Sequence, residues 1–239
     1  MLSDRIPQKS LSKSRFFSFA IAIVCLFLLS PFSTAQPAGF DAAGKYERIQ
    51  PPQPTSSPGK VEVIEVFWYG CPHCFDFEPL LSKWVSQKPQ YVDFQRLPAI
   101  FRKGWEPHAR AYYTAELLGV VEKIHQPLFE AMHMHSKKVA TQKELMEFFA
   151  QHGVSKERFL ETYDSFAVDS RVQRGKVMQQ RYGITGVPAM VVNGKYRTSG
   201  SEAGSLENVL RVVDYLIAQE RQATDANAGN GNTSPFSPP

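Results

Sequence analysis

The 239-residue chain is 43% hydrophobic and carries a formal net charge of +4, which supplies a packed core for one domain or two small ones. Arg5, Lys9, Lys13 and Arg15, against the single acid Asp4, put most of that charge in residues 1–35. The remainder is near neutral, so the composition gives no basic footprint for nucleic acid. Residues 1–35 read as a secretory signal: a basic start, an uncharged apolar stretch from Phe16 to Ser30, Pro31, then small residues in Ser33-Thr34-Ala35 that predict cleavage after Ala35. The apolar stretch falls short of the roughly 20 residues a spanning helix needs. Cys25 lies in mid-stretch behind Val24, whereas a lipid-anchored cysteine wants a small residue before it, so it is expected to leave with the signal.

Residues 36–60 are proline-rich and form an N-terminal linker, with a possible first strand at Tyr46–Ile49. Val61 to Tyr69 has the β-branched and aromatic content of a buried strand. Pro72 suits the first turn of a helix, where its missing N–H costs nothing. Phe77, Leu80, Leu81, Trp84 and Val85 then follow helical spacing, with Pro79 as an expected kink. Tyr91–Leu97 reads as the next strand. Residues 102–181 change to a helical period with no strand signal. Thr141-Gln142-Lys143-Glu144 forms a capping box there, and Ser155 and Asp169 are expected to start two further helices. Strand character returns at Ala189–Val192, Asn193-Gly194 predicts a hairpin turn, and Leu206, Val209, Leu210, Val213, Leu216 and Ile217 share one helical face. Residues 223–239 have too little apolar content to order themselves. The predicted fold is α/β: a sheet domain in two parts, 61–101 and 182–222, with a helical domain at 102–181 inserted between them.

With Cys25 removed, Cys71 and Cys74 are the only thiols, two residues apart at a strand-to-helix junction. Export places them in an oxidising compartment. A structural staple across so short a loop removes little entropy from the unfolded chain, so reversible redox chemistry is the better use of the pair. At a helix N-terminus, unpaired N–H groups and the positive dipole end favour a thiolate. Cys71 occupies that position and is the expected exposed nucleophile. Cys74, one turn in, is the resolving partner, and His73 can add a donor or a charge. A lowered Cys71 pKa favours the reduced state and makes the disulfide more oxidising, by about 30 mV per unit once the pKa lies below ambient pH.

This strand-Cys71-Pro72-His73-Cys74-helix arrangement resembles the thioredoxin superfamily and, within it, the DsbA-type periplasmic thiol oxidases. The likeness extends to Gly186-Val187-Pro188-Ala189-Met190-Val191-Val192-Asn193-Gly194 and covers about Lys45 to Arg221. It implies a thioredoxin-like fold with an inserted helical domain. It implies that Glu65 lies beneath the disulfide as a proton acceptor for Cys74, and that Val187 and a cis Pro188 pack on the disulfide and help bind extended substrate. Arg96 departs from the pattern, standing near where relatives often carry a lysine partner to the buried acid, so the resemblance does not carry over a Glu65–Arg96 charge pair. The implied partners are reduced, unfolded exported proteins and, for reoxidation, a DsbB-type inner-membrane quinone reductase. No cofactor is required, because the disulfide holds both electrons.

Other readings fit less well. Two cysteines are half a closed zinc site, with no second pair to complete it; His73, His108, His125, His133, His135 and His152 could do so only by coincidence. Met132-His133-Met134-His135 contains copper-ligand types, but on a helix these four point in different directions. Glu65 within an apolar strand is costly if merely structural, though the polar side of an edge strand would also accept it. Phe67, Trp68, Tyr69 and Phe75 are core candidates, one or two of which could edge a peptide groove. A disulfide isomerase or reductase would share the chemistry, but residues 36–60 are too few for the N-terminal dimerisation domain such proteins use, and a monomer is expected. A metal-binding or chaperone module is the alternative outside catalysis.

Overall fold

The computed structural model describes residues 40–230. The proposed signal and its cleavage site, and residues 231–239, lie outside them. Five strands form one sheet: β1 (Glu47–Arg48), β2 (Val61–Phe67), β3 (Val92–Pro98), β4 (Ala189–Val192) and β5 (Tyr196–Ser199), in the order β1-β5-β4-β2-β3. The β2–β3 pair is parallel and the other pairs are antiparallel. A parallel pair needs a crossover, and α1 (Pro72–Gln87) supplies it. This helix runs unbroken through Pro79.

All seven residues of β2 are buried, because both faces of the sheet are covered. Val61 and Val63 meet Phe77 and Leu81 of α1 and Val213 and Leu216 of the last helix, while Ile64 and Val66 pack with Leu97, Tyr182 and Val191 on the other side. Side chains alternate along a strand, so Glu65 shares the α1 face with Val63 and Phe67.

Between β3 and β4 lie a 3-10 turn (Lys103–Trp105) and five helices: α2 (Glu106–Leu117), α3 (Val121–His133), α4 (Gln142–Gln151), α5 (Lys156–Tyr163) and α6 (Phe166–Arg181). Thr141 and Glu144 form the capping box in front of α4, and Ser155 caps α5. The expected start at Asp169 is displaced: Ser165 caps α6 by accepting the Val168 N–H, and Asp169 falls inside the first turn, where a carboxylate also suits the helix dipole. Leu128, Phe129, Leu145, Phe149, Phe159 and Val172 form a second core that reaches Phe67, Tyr69, Cys71 and Cys74.

Asn193 and Gly194 both take positive φ, 51° and 64°, as a two-residue hairpin turn requires. The short α7 (Gly200–Ala203) precedes α8 (Leu206–Asn230), whose Val209, Val212, Val213, Leu216 and Ile217 are buried. The helix continues past residue 223, correcting the expected disordered start there. Ala223 and Ala226 are strong helix formers, and Arg221 pairs with Asp225 one turn on.

Candidate active site

Cys71 is the N-cap of α1. Its N–H donates to the Trp68 carbonyl at 2.9 Å, and its own carbonyl accepts the Phe75 N–H at 3.1 Å. The side chain is therefore held at the mouth of the helix, and Pro72 at the first helical position sacrifices no bond. Cys74 lies one turn deeper. Both sulfurs are free thiols in this structure. Cys71 is the more accessible of the two but is not exposed, with 8% of its surface open against 0% for Cys74. The Val187 carbonyl partly covers it, accepting from Cys71 Sγ at 3.5 Å.

The environment drives the two thiols apart. The Cys71 pKa is lowered to about 6, first by the hydrogen bond from the Cys74 thiol, against burial, with further help from the N–H groups of Cys74 and His73 and the nearby His73 ring. Those N–H groups favour the anion without making a formed cap bond. Cys74 moves the opposite way: burial raises its pKa most, and the bond it gives to Cys71 and the neighbouring Glu65 charge add to the rise. The dipole and His73 were anticipated from sequence; the leading role of Cys74 was not.

The Val187–Pro188 peptide is cis. Val187, Pro188 and exposed His73 line an open cavity of about 370 Å³ with Gly186, Ser199 and Leu206. Neither cysteine lines it, and Val187 joins it to Cys71. A separate cavity of about 310 Å³ between β3 and α6 contains neither cysteine.

The inner side is charged, and although Glu78, Arg96 and His125 line a cavity of about 490 Å³, Glu65 itself is enclosed. Glu65 has no solvent exposure, and its Oε2 accepts from Arg96 Nε at 2.9 Å. The charge pair that the family likeness did not carry over is therefore present. β2 and β3 place Glu65 and Arg96 side by side in register, which brings the guanidinium to the carboxylate. Arg96 also donates to Glu78 Oε2 at 3.2 Å. Burial, reinforced by the Glu78 charge and opposed by Arg96, raises the Glu65 pKa to about 8. Its Oε1 is buried without a hydrogen-bond partner, which an ionised carboxylate tolerates poorly. Glu78 goes the other way: burial opposes its anion, but hydrogen bonds from His125 and Arg96 bring its pKa below the usual value.

Cys71, Cys74, His73, Glu65, Val187 and Pro188 thus surround one helix N-terminus. Glu78 was missed from sequence, although it sits on the same buried face of α1 as Cys74, Phe77 and Leu81. An acid on an apolar helical face is as costly as one in an apolar strand. Phe67 and Tyr69 are core, Trp68 stacks on Trp105 at 3.9 Å, and Phe75 stacks on His133 at 5.1 Å. His133 is engaged with the Tyr69 carbonyl at 2.8 Å, while Met134 is exposed. Among the described residues no group of three His, Cys, Asp or Glu side chains is arranged to hold a metal.

Known proteins carry the same framework. The chain is 46% identical over 204 residues to the thiol:disulfide interchange protein DsbA of Pseudomonas aeruginosa, spanning 85% of this chain and 97% of that protein. The chain belongs to the DsbA family. A match of that span takes in Cys71 and Cys74. The DsbA of Azotobacter vinelandii is 46% identical over 187 residues, covering 78% of this chain and 87% of its own length. Residues 95–212 match the DSBA-like thioredoxin domain. The crystal structure of the Pseudomonas aeruginosa DsbA superposes with a TM-score of 0.73 at 46% identity, over 76% of this chain and 95% of that one. The DsbA of Xylella fastidiosa gives 0.69 at 36% identity, over 74% and 96%. The fold is therefore the thioredoxin-like DsbA fold, and the family is one of protein disulfide oxidoreductases. Among the described residues, no helix is long and apolar enough to cross a membrane.

Proposed function

We propose that this DsbA-family chain is a periplasmic oxidase that donates the Cys71–Cys74 disulfide to newly exported proteins. The observation that carries this is the opposite treatment of the two sulfurs: Cys71 favours the thiolate and touches Val187, which lines the open cavity, whereas Cys74 is fully buried near Glu65. A substrate thiolate attacks Cys71 Sγ, the Cys71–Cys74 bond breaks, and its electron pair goes to Cys74, which takes a proton from Glu65. A second substrate thiolate then attacks the substrate sulfur of the mixed disulfide. Cys71 leaves as a thiolate, the substrate is oxidised by two electrons, and the protein is reduced by two. Val187 and Pro188 hold the substrate backbone beside Cys71, and His73 borders the same cavity. Reoxidation falls to a DsbB-type inner-membrane quinone reductase. The working form is a monomer without bound cofactor, exported by cleavage after Ala35.

Oxidative refolding of a reduced, disulfide-containing protein tests this directly. Wild type should restore its disulfides and Cys71→Ser should not; full activity in Cys71→Ser would overturn the reading. A strongly reducing potential in the wild type would instead assign the protein to reduction or isomerisation.

A further inference from the structure

Beyond Glu65 and Arg96, a buried polar chain continues into the helical domain. Glu78 Oε1 meets His125 Nε2 at 3.0 Å, and His125 Nδ1 meets the Tyr69 hydroxyl at 2.9 Å. All three side chains are buried, with 1% of Glu78, 5% of His125 and 1% of Tyr69 exposed. The chemistry of the partners fixes the tautomer. A carboxylate can only accept, so Nε2 carries the hydrogen and donates to Glu78. Nδ1 is then the acceptor, and the Tyr69 O–H donates to it. Burial lowers the His125 pKa, which keeps the ring a neutral donor. Its ring packs edge-on against Phe67, Tyr69 and Phe129, which helps hold its orientation.

Two buried carboxylates share one guanidinium, and both cannot be ionised at little cost. The donors are distributed unequally between them. Glu78 receives Arg96 on one oxygen and His125 on the other, whereas Glu65 receives only Arg96 Nε and leaves Oε1 unpartnered. We propose that His125 is a positioning residue that decides which of the two carboxylates holds a proton, keeping Glu78 as the anion and leaving the proton on Glu65, next to Cys74. Tyr69 serves the arrangement by holding the tautomer. This rests on the oxidase reading only for its consequence: with the proton on Glu65, Cys74 is protonated as it leaves Cys71, and Glu65 can take that proton back when Cys74 must attack. The charged and titratable groups around Glu65 are Arg96 from β3 and Cys74 and Glu78 from α1, with Tyr69 and Tyr112 nearby; those around His125 are Glu78, Arg96, Tyr69, Tyr112 and Glu122 of its own helix.

Infrared difference spectroscopy of the reduced full-length protein reads the proton directly, through the carbonyl stretch of a buried carboxylic acid. Glu65→Gln assigns the band. In wild type it should persist at neutral pH and disappear with a midpoint near 8. His125→Leu removes the donor to Glu78, and the midpoint should fall by about one unit or more. His125→Gln, which can still donate, should recover part of that shift. Tyr69→Phe should lower the midpoint by less, because it loosens the tautomer without removing the ring. If the His125→Leu midpoint is unmoved, the proposal is overturned; should that variant fail to fold, Tyr69→Phe decides in the same way. A wild type that shows the band and its dependence on His125, yet does not oxidise thiols, would overturn the oxidase reading and leave this one standing.

Discussion

The two sides of the Cys71–Cys74 pair are built from opposite materials. The outer side has the open cavity of about 370 Å³ along His73, Val187 and Pro188 and offers one polar contact to sulfur, the Val187 carbonyl. The inner side is a hydrogen-bonded set of charged groups, Glu65, Arg96 and Glu78, extended by His125 and Tyr69. A symmetric environment would make either sulfur an equally good point of attack. In the proposed mechanism the outer side receives the substrate chain and the inner side handles the proton of the departing sulfur. Directionality in the exchange comes from this contrast more than from any single residue.

Cys74→Ala tests it most severely. The Cys74 thiol gives the largest lowering contribution to Cys71, so its loss should move the Cys71 thiolate titration from about 6 toward the ordinary thiol value of 9.0, read by thiolate absorbance or by alkylation rate against pH. A midpoint still near 6 would shift the credit to the helix terminus and His73. Arg96→Leu attacks the inner side. It leaves Glu65 and Glu78 buried without their shared cation, and removing one partner of a buried ion pair costs about 3–5 kcal/mol, measurable by urea unfolding. A loss under about 1 kcal/mol, the size of an exposed pair, would mean that the inner side is wetter than its burial indicates.

The pH dependence of stability should separate the two sides. Reduced Cys71 has a folded pKa below its unfolded value. Its stabilisation of the reduced form is complete above about pH 9 and is lost as pH falls toward 6. Glu65 has the opposite sign: the folded state holds a proton that the unfolded state releases, so its contribution declines as pH rises from 4.5 to about 8. Melting temperatures of the two forms should therefore diverge, the reduced form gaining on the oxidised one from pH 6 upward. Parallel curves would break the contrast. The smallest effect is a control: Thr141→Ala removes an exposed capping box that has no part in the Cys71 shift and should cost about 1 kcal/mol without moving the Cys71 titration.

Much of the outer side was legible in the sequence. A cysteine, a proline and a second cysteine at a strand-to-helix junction dictate a helix N-terminus, and Asn193-Gly194 dictates the hairpin that follows Pro188. The inner side was only half legible. Glu65 stood out because β2 is otherwise apolar apart from Glu62, but its pairing with Arg96 depends on the parallel register of two strands. His125 is one of six histidines, and only the packing of α3 against α1 gives it Glu78 as a partner. The end of α8 was misjudged for a different reason. Sparse apolar content argues that a segment cannot form a core, yet a helix already anchored by Val213, Leu216 and Ile217 can extend on alanine propensity alone.

Cys71 and Val187 touch across 116 positions of sequence, and that separation has a consequence in time. Synthesis proceeds from the N-terminus, so both cysteines emerge well before the helical domain and the Val187–Pro188 loop that complete their surroundings. Until then the Val187 carbonyl that partly covers Cys71, and the residues of the helical domain that bury Cys74, are missing. The groups that lower the Cys71 pKa are local to the motif, so it is the burial of Cys74 that waits for the finished fold.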